Sequence, residues 1–227
     1  VETSQVKVIY EDRWLMVVDK PQGMVTTREL NKGDKLSYLE DWVGQYYPNE
    51  LYRKGVAHRL DKETSGLVVI AKDEETRLLI KDLFKKRMVV KKYLALVGGD
   101  LPMVGDMNMP IGRNKYFLGR FKVDVNGKPA VTEFRVLKKI KIDGKTCSLV
   151  EVNLKTGRTH QIRVHFSYLG WPLVGDKMYK GMEVAELKRQ FLHSFYLKII
   201  HPRSGEVLEV RSDLPDDLKN ILKKYEV

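Results

Sequence analysis

Leu67 to Ala71 is a continuous apolar run rich in β-branched residues, which predicts a strand buried on both faces of a sheet. Directly before it stands a polar loop, His58-Arg59-Leu60-Asp61-Lys62-Glu63-Thr64-Ser65, with Gly66 turning the backbone into the strand. Upstream, Val6–Tyr10 and Trp14–Val18 read as short strands joined at Glu11-Asp12-Arg13, and Asp19-Lys20-Pro21-Gln22-Gly23 as a turn with a structural role. Ser37 is placed to cap a helix in which Leu39, Trp42, Val43 and Tyr46 recur at helical spacing as core residues, and Pro48 ends it. Asp73 is placed to cap a second helix, Glu74 to Met88, with Leu78, Leu79, Leu83 and Phe84 as its apolar face.

Val89 to Val97 alternates with period two, so Tyr93, Ala95 and Val97 share one face of a strand that Gly98-Gly99 ends. Residues 100–128 hold the least regular pattern. Ala130–Leu137 and Cys147–Leu154 read as strands of a meander around the hairpin signal Asp143-Gly144. Thr156-Gly157-Arg158 is a turn, and Thr159 is placed to cap a helix from His160 to Leu169. Its apolar face is Ile162, Phe166 and Leu169, with Gly170 as a left-handed end and Pro172 beyond. Phe191–Ile200 and Glu206–Val210 close the sheet about Pro202–Gly205, and Asp216–Tyr225 is a last helix. Strands and helices in this order predict an α+β fold, a mixed and mostly antiparallel sheet flanked by helices and loops. No internal repeat, low-complexity tract or long linker divides the chain.

Charge changes the picture. The 227 residues carry 41 Lys and Arg against 30 Asp and Glu, a formal net charge of +11. That excess points to a polyanionic partner, nucleic acid above all; the alternative is a Lys-rich surface kept for solubility. A single cysteine, Cys147, excludes an internal disulfide framework and a thiolate metal cage, and its apolar strand marks it as inert core. No apolar run approaches the roughly eighteen residues of a membrane span, and a cytoplasmic protein without a membrane partner, and a monomer, is the expectation. Two basic clusters stay open in meaning. Lys81, Lys85, Lys86 and Arg87 sit where a helix dipole favours cations and where phosphates could dock equally well. Arg113, Lys115, Arg120 and Lys122, interleaved with Tyr116, Phe117 and Phe121, fit a nucleic-acid-contacting hairpin or a plain hairpin with a polar face. Asp61, on the rim of a buried strand, is either a functional carboxylate on a rigid mounting or the cap of a turn.

His58-Arg59-Leu60-Asp61 with Thr64-Ser65-Gly66 and the apolar strand resembles the active-site motif of the RluA-type ribosomal large-subunit pseudouridine synthase family. Lys92-Tyr93-Leu94-Ala95-Leu96-Val97-Gly98 resembles its second motif, and Thr156-Gly157-Arg158-Thr159-His160-Gln161-Ile162-Arg163-Val164-His165 with Gly175-Asp176 its third. The similarity runs from Val6 to about Pro215. It implies the pseudouridine synthase fold with an active-site cleft across the sheet, and one catalytic domain over residues 1–227 without the small RNA-binding domain many relatives carry ahead of it. Ser194 stands where the family often has Ala.

The reaction so implied detaches uracil from ribose, turns it, and rejoins it through carbon 5. No atoms are gained or lost, so no cofactor or metal is expected. The resemblance supplies Asp61 as nucleophile and Arg163 as the cation that opposes the pKa rise a desolvated carboxylate would suffer. Tyr93 is the aromatic expected to stack on the extruded base; as a proton acceptor it would need help, since a free Tyr titrates near about 10. Arg59 is the expected wedge filling the gap left by the flipped base, His58 a brace for the loop close to the RNA, Leu192 an apolar contact near the base, and Arg158 and His160 further RNA contacts. Ribosomal RNA is the expected partner, with transfer RNA as the alternative. Two other classes compete: an inactive RNA-binding protein of the same fold, which retention of Asp61, Tyr93 and Arg163 argues against, and a metal-dependent nuclease or phosphohydrolase. The latter needs clustered ligands, and the histidines at 58, 160, 165, 193 and 201 form no dense ligand motif.

Overall fold

The computed structural model describes residues 6–28 and 36–225. In chain order the elements are β1 (Lys7–Glu11), β2 (Leu15–Lys20), α1 (Leu39–Tyr46), β3 (Ser65–Ala71), α2 (Glu74–Lys85), β4 (Val90–Gly98), β5 (Val104–Asn108), β6 (Ile111–Arg113), β7 (Phe121–Val123), β8 (Val131–Ile142), β9 (Lys145–Leu154), α3 (Gln161–Tyr168), β10 (Leu192–Ile200), β11 (Val207–Arg211) and α4 (Asp216–Tyr225). They form two compact units, one from Val1–Lys91 and Ser194–Asp213, the other from Lys92–His193 and Leu214–Val227. The α+β expectation holds in each, and the strand pairs described within each unit are antiparallel.

In the first unit β2 lies between β1 and β3, with Leu15 opposite Ala71 and Lys20 opposite Gly66. All seven residues of β3 are buried, as its apolar run requires. Leu15, Val17, Leu67, Val69, Ile80, Leu197, Ile199 and Val210 share one core. Gly66 has φ +119°, and a Cβ there would stand 2.3 Å from the carbonyl oxygen of Ser194, so no other residue fits at the entry to β3. The Ser194 hydroxyl itself is buried with no hydrogen-bond partner among the described residues.

Asp73 caps α2 as the sequence predicts, accepting from Thr76 N at 2.8 Å. The face of α2 differs from the prediction. Thr76 and Ile80 are buried and Leu83 and Phe84 pack beside them, whereas Leu78 and Leu79 are exposed. Ser37 does not cap α1: its backbone carbonyl accepts from Val25 N, and Val25 O in turn accepts from Leu39 N at 2.8 Å. Leu39 and Val43 of α1 are buried as expected, but Trp42 and Tyr46 stack on each other, and Tyr46 is exposed with its hydroxyl on Glu11.

In the second unit β9 lies between β4 and β8, and β5 flanks β8. The β8–β9 hairpin turns at Asp143 (φ 48°) and Gly144 (φ 78°), the pair of left-handed residues an Asp-Gly turn supplies. Leu218 and Ile221 of α4 enter a core with Leu96, Ile140, Cys147, Val174 and Phe191. Cys147 is buried there, and burial pushes its thiol pKa up, as inert core demands.

Candidate active site

The loop before β3 is fixed through its peptide groups. Lys20 is fully buried, and its ammonium donates to Pro21 O (2.9 Å), Met24 O (2.8 Å) and Lys62 O (3.2 Å). Gly23 N donates to the same Lys62 carbonyl at 2.9 Å. Thr26 Oγ1 donates to Leu60 O at 2.7 Å and accepts from Leu60 N at 3.1 Å. The residues on both sides of Asp61 are therefore bolted to the segment 20–26, and Thr64 N closes a turn onto Asp61 O at 3.0 Å. Asp61 is half-buried on this frame, and Arg59 is exposed two residues earlier. Lys20, which the sequence presents as part of a turn, is thus a positioning residue. The available signal was its place between an apolar strand and Pro-x-Gly.

His58 braces the loop. Its Nε2 accepts from Val69 N at 3.2 Å while Ala57 N donates to Val69 O, and its ring lies 4.9 Å from that of Phe84. Burial, and then the Lys91 ammonium, lower its pKa from 6.5 to about 3. A neutral imidazole with its proton on Nδ1 follows, because Nε2 is used as an acceptor. The native pKa lies below the unfolded one, so the stabilisation is complete above about pH 6.5 and is lost as pH falls from there toward 3. Urea unfolding across this window is expected to show stability falling more steeply in the wild type than in His58→Gln, by up to about 1.4 kcal/mol per pH unit. Parallel profiles for the two proteins would remove His58 from the loop's acid response.

In the second unit Tyr93 is buried on β4 opposite Val152. Arg163 is buried on α3, where Gln161 to Phe166 are all buried. Its Nε and Nη2 donate to the two oxygens of Asp176 at 2.7 and 3.0 Å, a fork-to-fork pair that fixes the guanidinium plane. Asp176 also accepts from Tyr179 N at 3.2 Å, and the Arg163 guanidinium lies 5.0 Å from the centre of the Tyr179 ring. The sequence places Gly175-Asp176 within the third motif but does not pair Asp176 with Arg163. A buried arginine calls for a carboxylate, and that is the signal it carries.

The start of α3 departs from prediction. Thr159 is not the cap; His160 precedes the helix in a left-handed conformation (φ 56°). Gln161 organises the turn, its Oε1 accepting from Arg158 N (3.0 Å) and Thr156 Oγ1 (2.7 Å), its Nε2 donating to Val131 O and Thr132 Oγ1. Leu169 is exposed rather than part of the apolar face, while Gly170 is left-handed as expected. Arg158 donates through Nε to Pro129 O at 3.0 Å, and His160 Nδ1 stands 2.9 Å from Tyr179 Oη. His165 is buried between Thr132 Oγ1 and Met109 O, each at 2.9 Å, and burial lowers its pKa. Leu192 is buried at the start of β10, its carbonyl held by Arg189 Nη1 at 3.2 Å; Arg189 forks onto Asp217 of α4 at 2.6 and 3.0 Å. Among the described residues no group of three His, Cys, Asp or Glu side chains is placed to hold a metal.

Residues 14–168 match the family model described as RNA pseudouridylate synthase. The chain belongs to the RNA pseudouridylate synthase family. The matched segment includes Asp61, Tyr93 and Arg163 and stops short of Leu192. Among curated relatives, the ribosomal large subunit pseudouridine synthase D of Nitrosomonas europaea is 39% identical over 98% of this chain, which spans 66% of that protein, just under two thirds of its length. An uncharacterized RNA pseudouridine synthase of Bacillus subtilis is 36% identical over 98% of this chain and 73% of its own. Of solved structures, human RNA pseudouridylate synthase domain containing 1 superposes with a TM-score of 0.75 at 31% identity, covering 95% of this chain and 86% of that one. The family fold anticipated from the three motifs is the fold observed.

Proposed function

We propose that the protein is an RNA pseudouridine synthase acting on specific uridines of ribosomal RNA, with transfer RNA as the alternative substrate. The observation that carries this reading is Asp61, a carboxylate half-buried on a loop held by Lys20 and Thr26, in a chain of the pseudouridylate synthase family. The relatives named for the large ribosomal subunit favour ribosomal RNA.

The Asp61 carboxylate needs only placement to act as a nucleophile on an extruded uridine. The bond from ribose to N1 breaks, the ring turns, and ribose bonds to carbon 5. The proton that leaves carbon 5 is balanced by one gained at N1, so the uracil changes attachment and nothing else. The buried Arg163, its plane set by Asp176, is the cation this reading assigns to the isomerisation. The Tyr93 ring offers a surface on which the base can stack. Flipping a base costs a few kcal/mol, and the exposed Arg59, rigidly mounted near Asp61, has a flat cation suited to the vacated place. The β6–β7 hairpin adds a second contact region. Tyr116 and Leu118 are almost fully exposed at its tip, with Arg120 over the Phe117 ring at 5.0 Å and Arg113 over Phe121 at 5.8 Å. Aromatic faces beside guanidinium groups suit unpaired bases and their phosphates.

The test is to incubate the protein with ribosomal and transfer RNA from cells lacking the gene, in chelator and without nucleotide. New pseudouridines are then mapped by carbodiimide-dependent reverse-transcription stops. Discrete stops that vanish with Asp61→Asn are expected. Tight RNA binding with no stops on either RNA would instead make the chain an inactive binder.

A further inference from the structure

Tyr179 touches more of the second unit's functional parts than any role assigned so far accounts for. It sits in the short 3-10 turn Lys177–Tyr179 that follows Asp176, and it is buried. Its hydroxyl accepts from the backbone N–H of Phe121 at 3.0 Å. Phe121 opens β7 opposite Arg113, at the base of the loop that carries Lys115, Tyr116, Phe117, Leu118 and Arg120. The same hydroxyl meets His160 Nδ1 at 2.9 Å. The His160 ring meets both others edge to face: Tyr179 at 5.6 Å and Phe121 at 5.7 Å. The face of the Tyr179 ring is turned to the Arg163 guanidinium, and its N–H bonds the carboxylate that grips Arg163.

The two ends of one side chain thus meet two different things. The hydroxyl holds the hairpin and the residue that precedes α3. The ring and the backbone hold the Arg163–Asp176 pair. We propose that Tyr179 is a positioning residue that seats the β6–β7 hairpin and, independently, sets the Arg163 guanidinium. The proposal rests on the reading that Arg163 serves the isomerisation and that the hairpin meets RNA. It adds a division of labour within one residue, hydroxyl for substrate binding and ring for the reaction step.

Two substitutions in the full chain separate the roles. Tyr179→Phe keeps the ring and deletes both hydroxyl contacts. It is expected to raise KM for RNA about five- to tenfold, the cost of one or two neutral hydrogen bonds, with the saturating single-turnover rate within about twofold. Tyr179→Leu removes the ring face as well and should lower that rate by about thirtyfold or more. Equal losses of KM and rate in both variants, or an unchanged KM in Tyr179→Phe, would overturn the assignment. A second readout does not depend on turnover. Amide exchange at Phe121 should accelerate in both variants, while the Arg163 Nε–H resonance should move only in Tyr179→Leu. Unchanged Phe121 exchange in Tyr179→Phe would also overturn it. A wild-type protein that forms no pseudouridine refutes the synthase reading alone, and the exchange and resonance measurements still decide the seating of the hairpin.

Discussion

Asp61→Asn is expected to lower turnover by about ten-thousandfold or more while the protein stays folded and still binds RNA. The expectation of an intact fold comes from what holds the loop. The bonds from Lys20, Gly23 and Thr26 reach the backbone of Leu60 and Lys62, and the turn bond from Thr64 reaches the backbone oxygen of Asp61. None of these uses the carboxylate. An amide of the same shape therefore leaves these bonds in place and removes the carboxylate proposed as nucleophile. RNA affinity should be equal or slightly higher, because a negative charge is removed beside the polyanion proposed to dock there. The measurements are single-turnover pseudouridine formation, a thermal melt and filter binding on one preparation. Activity within tenfold of wild type would end Asp61's role as nucleophile, and a lost melting transition would show that the carboxylate helps build the loop.

The largest effect on stability is expected from Asp176→Asn. Asp176 is 1% exposed and Arg163 6%. Breaking one partner of a pair this deeply buried costs about 3–5 kcal/mol, far beyond the 0–1 kcal/mol of a surface ion pair. The carboxylate also holds the backbone of the Lys177–Tyr179 turn, so the turn should loosen with it. Arg163→Met removes the other partner, and the double variant should be destabilised by less than the sum of the two single changes, since the contact is lost only once. Urea unfolding of the four proteins gives the coupling directly. Additive losses would mean that the fork between Nε, Nη2 and the two oxygens contributes nothing to stability. Activity should fall in Asp176→Asn as well, in step with the loss of a fixed guanidinium plane.

What could be read along the chain was what short-range chemistry decides. The β3 run, the Asp73 cap, the Asp-Gly turn and the end of α3 at Gly170 each depend on residues within a few positions, and each is found in place. The misses share the opposite property. Ser37 looks like a cap, but the donor it would serve, Leu39 N, is met by the carbonyl of Val25, 14 residues earlier. Leu78 and Leu79 look like a core face because they are apolar. The phase of α2 is set instead by the core it meets, which takes Ile80 and the small Thr76. Lys20 reads as part of a turn with a structural role, but its bond to the carbonyl of Lys62, 42 residues on, is seen only in the fold. Within the site, the motifs name the residues that resemble the family's machinery. The bonds that hold them, from Lys20, Thr26, Asp176 and Gln161, emerge only when distant groups are placed.

The interleaving of the two units has a consequence for how the chain is made. The first unit needs Ser194–Asp213 to complete a core that begins at Leu15, since Leu197, Ile199 and Val210 pack with Val17, Leu67 and Val69. A ribosome adds roughly 5–20 residues per second, so the apolar β2–β3 pair emerges and waits for several seconds while the whole of Lys92–His193 is synthesised. During that wait β3 lacks its closing strands, and an apolar strand with an open face is the kind of segment that chaperones bind and that drives aggregation. The second unit waits only for α4, which supplies Leu218 and Ile221. A break in translation before residue 194 therefore leaves the unit that carries Asp61 without its closing strands, and no single cut releases either unit whole.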